Sequence, residues 1–292
     1  MFFQLDNYYI YIYIMTPSEQ ATIELIDAVD KGNSKKVAFF LKKKKKLRLN
    51  VNVKDPHNYD CPILHVAISN AAQHAKSRYS EKSRRARKED IKIIKLLINY
   101  GANVNIKDSG YSALHLAAKH DPSLIQYLIK SPNASINSRD DNGCTPLHYA
   151  VEGLHSRSPS SRDPENIRQR ISMIKMLLKQ PTITINCQNK DKKTPLLIAV
   201  DLNDDKVVEI LLAAGADPDI KDKNGKSPLD YNYDRVEAAA WMRDGATSSK
   251  TIIKAKLLEY GATKNPHRER ARKARARKER EKKATKRRAA AK

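Results

Sequence analysis

At 292 residues the chain is long enough to bury a hydrophobic core in one large or two ordinary domains. Its net charge of +23 favours an anionic partner, yet residues 42–48 carry +6, residues 76–92 +5 and residues 264–292 +12, which leaves the remainder neutral. Three unpaired cysteines, Cys61, Cys144 and Cys187, argue against a disulfide framework or a zinc site, and no apolar run reaches the roughly 20 residues of a membrane-crossing helix.

The cysteines therefore read as small buried hydrophobes of a reducing compartment, and the protein as soluble and intracellular, cytoplasmic or nuclear. Residues 1–15, "MFFQLDNYYIYIYIM", are apolar and β-prone, without the basic start or small-residue cleavage site of a signal peptide. They read as an N-terminal extension, with a short strand or membrane-touching anchor as the alternative. "TPSE" follows, with Thr16 as N-cap, Pro17 in the first turn and Glu19 reaching back, so a helix and the folded unit begin there. Met15 is an alternative start. A leading unit spans 22–41, and Lys42–Lys46 end its second helix, where positive charge suits the helix dipole. Five lysines in succession exceed that need and leave a weak anionic contact as a second use.

Next comes a repeat. "PILHVA" (62–67), "SALHLAA" (112–118), "TPLHYA" (145–150) and "TPLLIA" (194–199) align, with "SPLDYN" (227–232) as a weaker copy. Each is followed by a Leu-Leu helix and an Asn/Asp turn, as in "IKLLINYGANVNIKD". Ser or Thr caps the first helix, Pro fits its first turn, and the second packs on it through residues such as Ile94, Leu97 and Ile98. Gly101, Gly215 and Gly261 stand where a left-handed residue ends a helix. These recurring motifs resemble ankyrin repeats over about residues 16–263. The predicted fold is an all-α solenoid of about six helix-turn-helix units, stabilised by stacking neighbours.

The spacing adds detail. His65, His115, His148, Leu197 and Asp230 share one motif position, at intervals of 50, 33, 49 and 33 residues. Long insertions therefore fall between the helices of alternate repeats, at 70–90, 153–170 and 233–250, all on one edge of the solenoid. The first and third are helix-prone; the middle one, with Pro159 and Pro164, reads as a loop. Ser158 in that loop is a candidate phosphorylation site, and Trp241 in the third reads as a cap on the core.

The three motif histidines lie in different repeats and do not converge on a catalytic or metal site. In the resembled family they tie the finger turn to the helix. No phosphate loop, HExxH or Ser/His/Asp set is present, so the chain reads as non-enzymatic, with no cofactor and no metal. The resemblance implies a protein partner on the finger tips and first helices. Carried over, the finger positions are Asn58, Tyr59, Ser109, Tyr111, Asn142, Cys144, Lys190, Lys193, Asn224 and Lys226. The helix positions are Ser69, Asn70, Lys119, His120, Glu152 and Asp201. Tyr59 and Tyr111 are the leading anchors, as exposed turn tyrosines. The first finger is longer than the rest, and the fourth has Lys192 where glycine is usual.

From Arg268 onward the chain has no apolar residue larger than alanine, so 264–292 forms a disordered or lone-helical basic tail. Arg272-Lys273, twelve residues, then Lys286-Arg287-Arg288 resembles a bipartite nuclear-import signal read by an import receptor. The rival reading is a nucleic-acid-associated protein whose basic tail and patches bind DNA or RNA non-specifically, without aromatics to stack on bases. The expectation is a monomeric scaffold that binds a protein, with the tail as address or tether. Chains made of little beyond such repeats resemble effectors that intracellular bacteria and some viruses deliver into host cells.

Overall fold

The computed structural model describes residues 16–56, 58–76, 80–153, 164–232 and 247–262. Helix pairs follow one another along the chain. The first is α1 (Pro17–Asp30) and α2 (Ser34–Lys42), trailed by the one-turn α3 (Lys44–Leu47). A two-stranded hairpin, β1 (Lys54–Asp55) and β2 (Cys61–Pro62), runs antiparallel with Asp55 opposite Cys61. Then α4 (Ile63–Lys76) pairs with α5 (Glu81–Asn99). α6 (Ala113–His120) pairs with a 3-10 turn running into α7 (Ile125–Leu128). α8 (Pro146–Glu152) pairs with α9 (Pro164–Leu178), and α10 (Pro195–Asp201) with α11 (Asp205–Ala213). A helix opening at 228 precedes α12 (Thr247–Glu259). The all-α expectation holds.

Local chemistry explains the starts and stops. Thr16 Oγ1 accepts from Glu19 N–H at 3.3 Å while Glu19 accepts from Thr16 N–H at 2.7 Å, the reciprocal box expected from the sequence. In α6 and α8 a histidine takes the glutamate's place. His115 Nδ1 accepts from the Ser112 N–H (3.2 Å) and meets its hydroxyl (2.8 Å); His148 Nδ1 does the same with Thr145 (3.1 and 2.9 Å). A ring nitrogen that accepts from a backbone N–H carries no proton, so Nε2–H is the donor to the next finger's carbonyl. Those bonds reach Cys144 O at 3.0 Å and Lys193 O at 3.1 Å. Asp230 plays the part for Ser227. Gly101, Gly215 and Gly261 have φ near +90°, and the N–H of the alanine after each closes the helix onto Leu97, Leu211 and Leu257.

Burial is continuous from α1 to α12. Leu25, Ile68, Leu114, Leu147, Leu177, Leu211 and Leu257 are all fully buried in one apolar seam. An asparagine ladder stitches the loops between repeats. Asn52, Asn105, Asn137 and Asn186 side-chain oxygens accept from the N–H of Asn103, Ser135, Thr184 and Asp217, at 2.7–2.9 Å.

The insertions lengthen second helices. α5, α9 and α12 have 19, 15 and 13 residues, against 9 in α11 of a plain repeat. The first insertion is an extended helical hairpin: α4 and α5 both run into it, tied by His74 Nδ1 to the buried Asp90 carboxylate at 2.7 Å. In the middle one, 154–163 lie outside the described residues, and 164–170 correct the loop expectation. Pro164 and Glu165 suit a first helical turn, so α9 begins there, and its Arg170 is buried. Arg170 donates to the carbonyls of Ala118 (3.2 Å) and Lys119 (3.3 Å) near the end of α6. Gly153 makes room for it: a Cβ there would lie 1.8 Å from the guanidinium. Ser158, Trp241, the extension 1–15 and the tail 264–292 lie outside the described residues.

The structure adds to one further expectation, the lysine run, and changes another, the cysteines. The lysine run is partly structural, because Lys44 Nζ donates to Tyr100 O at 2.8 Å, closing the end of α5, and Lys43 lies 3.9 Å from the centre of the Phe39 ring. The cysteines are free but only half-buried, since each sits in a finger or loop at the rim of the seam.

Lys192 holds φ +56° in the fourth finger, where the side chain costs about 1 kcal/mol against glycine. Its side chain is exposed, so Lys192→Gly is expected to raise stability by about 1 kcal/mol, read from the urea midpoint.

Candidate interaction surface

Three fingers share one construction. The Asp140 carboxylate accepts from the N–H of Asn142 (3.0 Å) and Cys144 (2.6 Å). Asn189 holds Asp191 and Lys193 in the same way, and Asp222 holds Asn224 and Lys226. Left-handed residues Gly143, Lys192 and Gly225 complete these turns. Adjacent fingers are zipped by backbone bonds from Lys190 N to Asn142 O (2.8 Å) and Lys223 N to Asp191 O (2.9 Å). Tyr149 and Tyr231, one residue past the motif position, donate their hydroxyls to Asp140 (2.6 Å) and Asp222 (2.8 Å).

Between these fingers and the first helices lies a groove of about 830 Å³. It gathers Lys119, His120, Asn142, Cys144 and Lys193 of the predicted finger and helix residues, with Glu152 and Asp201. Tyr149, Asn189, Asp191, Ile198 and Leu202 also line it and were not singled out from the sequence. The aromatic after the motif histidine in "LHY" was the available signal for Tyr149, since the preceding repeat has leucine there.

Charges in the groove are matched. Lys193 Nζ lies 3.0 Å from Asp201 and 5.0 Å from the centre of the Tyr231 ring. Burial is the largest single influence on Lys193 and lowers its pKa, but the hydrogen bond and charge of Asp201 and the Tyr231 hydroxyl together outweigh it and raise the pKa. Lys119 Nζ sits 4.8 Å from the Tyr111 ring centre and 5.7 Å from that of Tyr149.

Tyr111 is a correction to the exposed-anchor expectation. It is half-buried, packed edge-on against Tyr149 at 5.8 Å and His115 at 6.3 Å, because its short finger folds back onto α6. Tyr59 is 97% exposed, at the tip of the long first finger beside exposed Asn58. Neither lines the groove, nor do Ser109, Lys190, Asn224 and Lys226. The Asn224 amide donates to Asp222 at 3.2 Å, and Lys226 lies 5.6 Å from the Tyr231 ring centre. Arg272, Lys273, Lys286, Arg287 and Arg288 fall outside the described residues.

Two histidines and a cysteine at or beside the groove are already committed to structure or held unreactive. His115 and His148 spend both ring nitrogens on structure and are buried, so neither serves as a base. Burial pushes the Cys144 thiol up to about 11, away from a reactive thiolate. Outside the groove, ligand atoms of Cys61, His65 and Asp108 lie within 4.8 Å of one another. His65 breaks the histidine pattern: neither of its ring nitrogens has a hydrogen-bond partner.

A family model described as "Ankyrin repeats (3 copies)" matches residues 84–157 and 166–247, more than half of the chain. The chain belongs to the ankyrin-repeat family. Among solved structures, the ankyrin repeat domain of Bcl-3, titled a unique member of the IkappaB protein family, superposes with a TM-score of 0.61 at 22% identity. That match covers 84% of this chain and 90% of Bcl-3's. The ankyrin repeat protein EF0377 gives 0.59, also at 22% identity, over 82% of this chain and 98% of its own. At these identities the likeness concerns the ankyrin fold. Among curated proteins, alpha-latrotoxin-Lh1a of Latrodectus hasselti is 45% identical over 64 residues, 21% of this chain and 5% of the toxin. Ankyrin repeat protein OPG189 of variola virus is 35% identical over 94 residues, 32% of this chain and 15% of the viral protein. The chain thus matches only a small part of these relatives' length. Ankyrin repeats mediate protein–protein interactions and are typically not catalytic. Among the described residues no helix is long and apolar enough to cross a membrane.

Proposed function

We propose that residues 16–263 are a non-enzymatic scaffold that binds a protein along the groove, with exposed Tyr59 as an outlying contact and residues 264–292 as address or tether. The carrying observation is the groove's mixed lining. Lys119, His120 and Lys193 alternate with Glu152, Asp191 and Asp201 around Tyr149, Ile198 and Leu202. A phosphate backbone would meet three carboxylates there, whereas a protein surface carries both signs and apolar area. The tail pattern Arg272-Lys273 and Lys286-Arg287-Arg288 supports nuclear import, and the likeness to a viral ankyrin protein supports a host-directed role.

The second reading, non-specific nucleic-acid binding, is favoured by the +12 of the tail. Fluorescence anisotropy with duplex DNA and RNA at two salt concentrations separates the two, comparing the full chain with one ending at Thr263. The scaffold reading predicts no binding by either form near physiological salt. Binding by the full chain, lost with its salt slope on truncation, would make the tail a nucleic-acid grip.

A further inference from the structure

Two repeats depart from the common pattern at places that face each other. The first departure is at the motif histidine. Pro62 of β2 stands where Ser112 and Thr145 stand in the next repeats. Proline has neither N–H nor hydroxyl, so His65 Nδ1 lacks both partners that His115 and His148 enjoy. The backbone of Ile106 lies near the ring, but neither ring nitrogen completes a hydrogen bond with it. The ring is 1% exposed, so water does not make up the loss from outside.

The second departure is the finger opposite. Asp108 and Tyr111 exchange backbone bonds of 2.9 and 2.8 Å across Ser109 and Gly110, both at positive φ. This turn is one residue shorter than Asp140–Cys144, in which the first residue pairs with the fifth. In the longer fingers the leading carboxylate or amide is consumed by two backbone N–H groups. Among the described residues the Asp108 carboxylate takes no backbone N–H; it meets the Ser109 hydroxyl at 3.5 Å and lies against the Cys61 thiol. An imidazole without a hydrogen-bond partner and a carboxylate spared by the backbone thus converge on the Cys61 thiol, their ligand atoms within 4.8 Å.

We propose that Cys61 Sγ, a ring nitrogen of His65 and the Asp108 carboxylate form a site for one transition-metal dication, Zn²⁺ foremost. One sulfur, one nitrogen and one oxygen donor suit a borderline-soft ion with tetrahedral preference, and the fourth position remains for water or a partner's side chain. Bond lengths of about 2.0–2.3 Å place tetrahedral ligands roughly 3.3–3.8 Å apart. The site therefore closes by about an ångström, within reach of side-chain rotation at Cys61 and Asp108. Both are half-buried, which leaves a path for the ion. Cys61 and His65 belong to one repeat and Asp108 to the next, so the ion would clip two repeats together where the histidine tie is missing. This site rests on the ankyrin fold alone and stands apart from the groove.

The test uses the full chain, untagged and stripped of metal, titrated with Co²⁺ as the spectroscopic counterpart of Zn²⁺. The expected result is a thiolate-to-cobalt charge-transfer band with intense tetrahedral visible bands, saturating at one Co²⁺ per chain and displaced by Zn²⁺. Cys61→Ser is expected to abolish the charge-transfer band and Asp108→Asn to weaken binding at least tenfold. Cys144→Ser and Cys187→Ser should leave both unchanged. Zn²⁺ should raise the Tm of the wild type and not that of Cys61→Ser, which keeps the side-chain size should His65 variants fail to fold. No band at stoichiometric Co²⁺, a band that survives Cys61→Ser, or an equal Tm rise in that variant would overturn the proposal.

Discussion

Asp121→Ala is expected to lower the unfolding free energy by about 3 kcal/mol, among the larger single losses available to the described residues. Asp121 is 2% exposed at the junction of α6 and the 3-10 turn. Its carboxylate accepts from Arg87 at 3.0 and 2.8 Å, from the Ser123 hydroxyl at 2.7 Å and from the Ser123 N–H at 3.2 Å. Alanine removes an N-cap worth about 1 kcal/mol and strands a guanidinium that is only 28% exposed. Arg87 comes from the first insertion, so the same variant tests whether the inserted hairpin braces the next repeat. Urea unfolding measures the loss, and a double-mutant cycle with Arg87→Ala isolates the pair. A loss under 1 kcal/mol would mean that hairpin and repeat are not coupled through this pair.

Acidification is the second large effect. Burial holds the His148 pKa near 4 and, with smaller contributions, keeps His115 below the usual imidazole range. Both groups are depressed in the folded state, so the unfolded chain takes up protons first. Their stabilisation is fully present above about pH 6.5 and is lost as pH falls towards 4. For His148 the loss is on the order of 3 kcal/mol across that window. His148→Gln keeps an acceptor for Thr145 N–H and a donor for Lys193 O without a titrating group. The variant is expected to flatten the urea-midpoint profile between pH 6.5 and 4 by roughly one proton. An unchanged slope would place the acid sensitivity elsewhere.

Much of the architecture was legible because each local signal agreed with the repeat. Thr16 and Glu19 announced α1, the glycines at 101, 215 and 261 announced helix ends, and the 50/33/49/33 spacing located the extra length of α5, α9 and α12. What escaped depended on partners distant in sequence. Arg170 was read as loop because its acceptors, the carbonyls of Ala118 and Lys119, lie some fifty residues away. Tyr111 was read as exposed because the Tyr149 ring that covers it, from the next repeat, meets it only after stacking. His65 was counted with its fellow histidines although Pro62, three residues earlier, had already removed its donors. Seven of the sixteen predicted finger and helix positions line one groove, and the others are spread over the fingers and α4.

This groove is the surface we propose receives a protein. Site-specific photo-crosslinking tests it most directly, with a photoreactive amino acid at Asn142 or Lys119 in the groove, or at Lys179 beside Met176 on α9, away from the groove. The full chain would be irradiated in the cells that make it, with and without nuclease. Discrete protein adducts are expected from the groove positions, insensitive to nuclease and absent from Lys179. Adducts that form equally at Lys179, or that vanish with nuclease, would contradict the proposal.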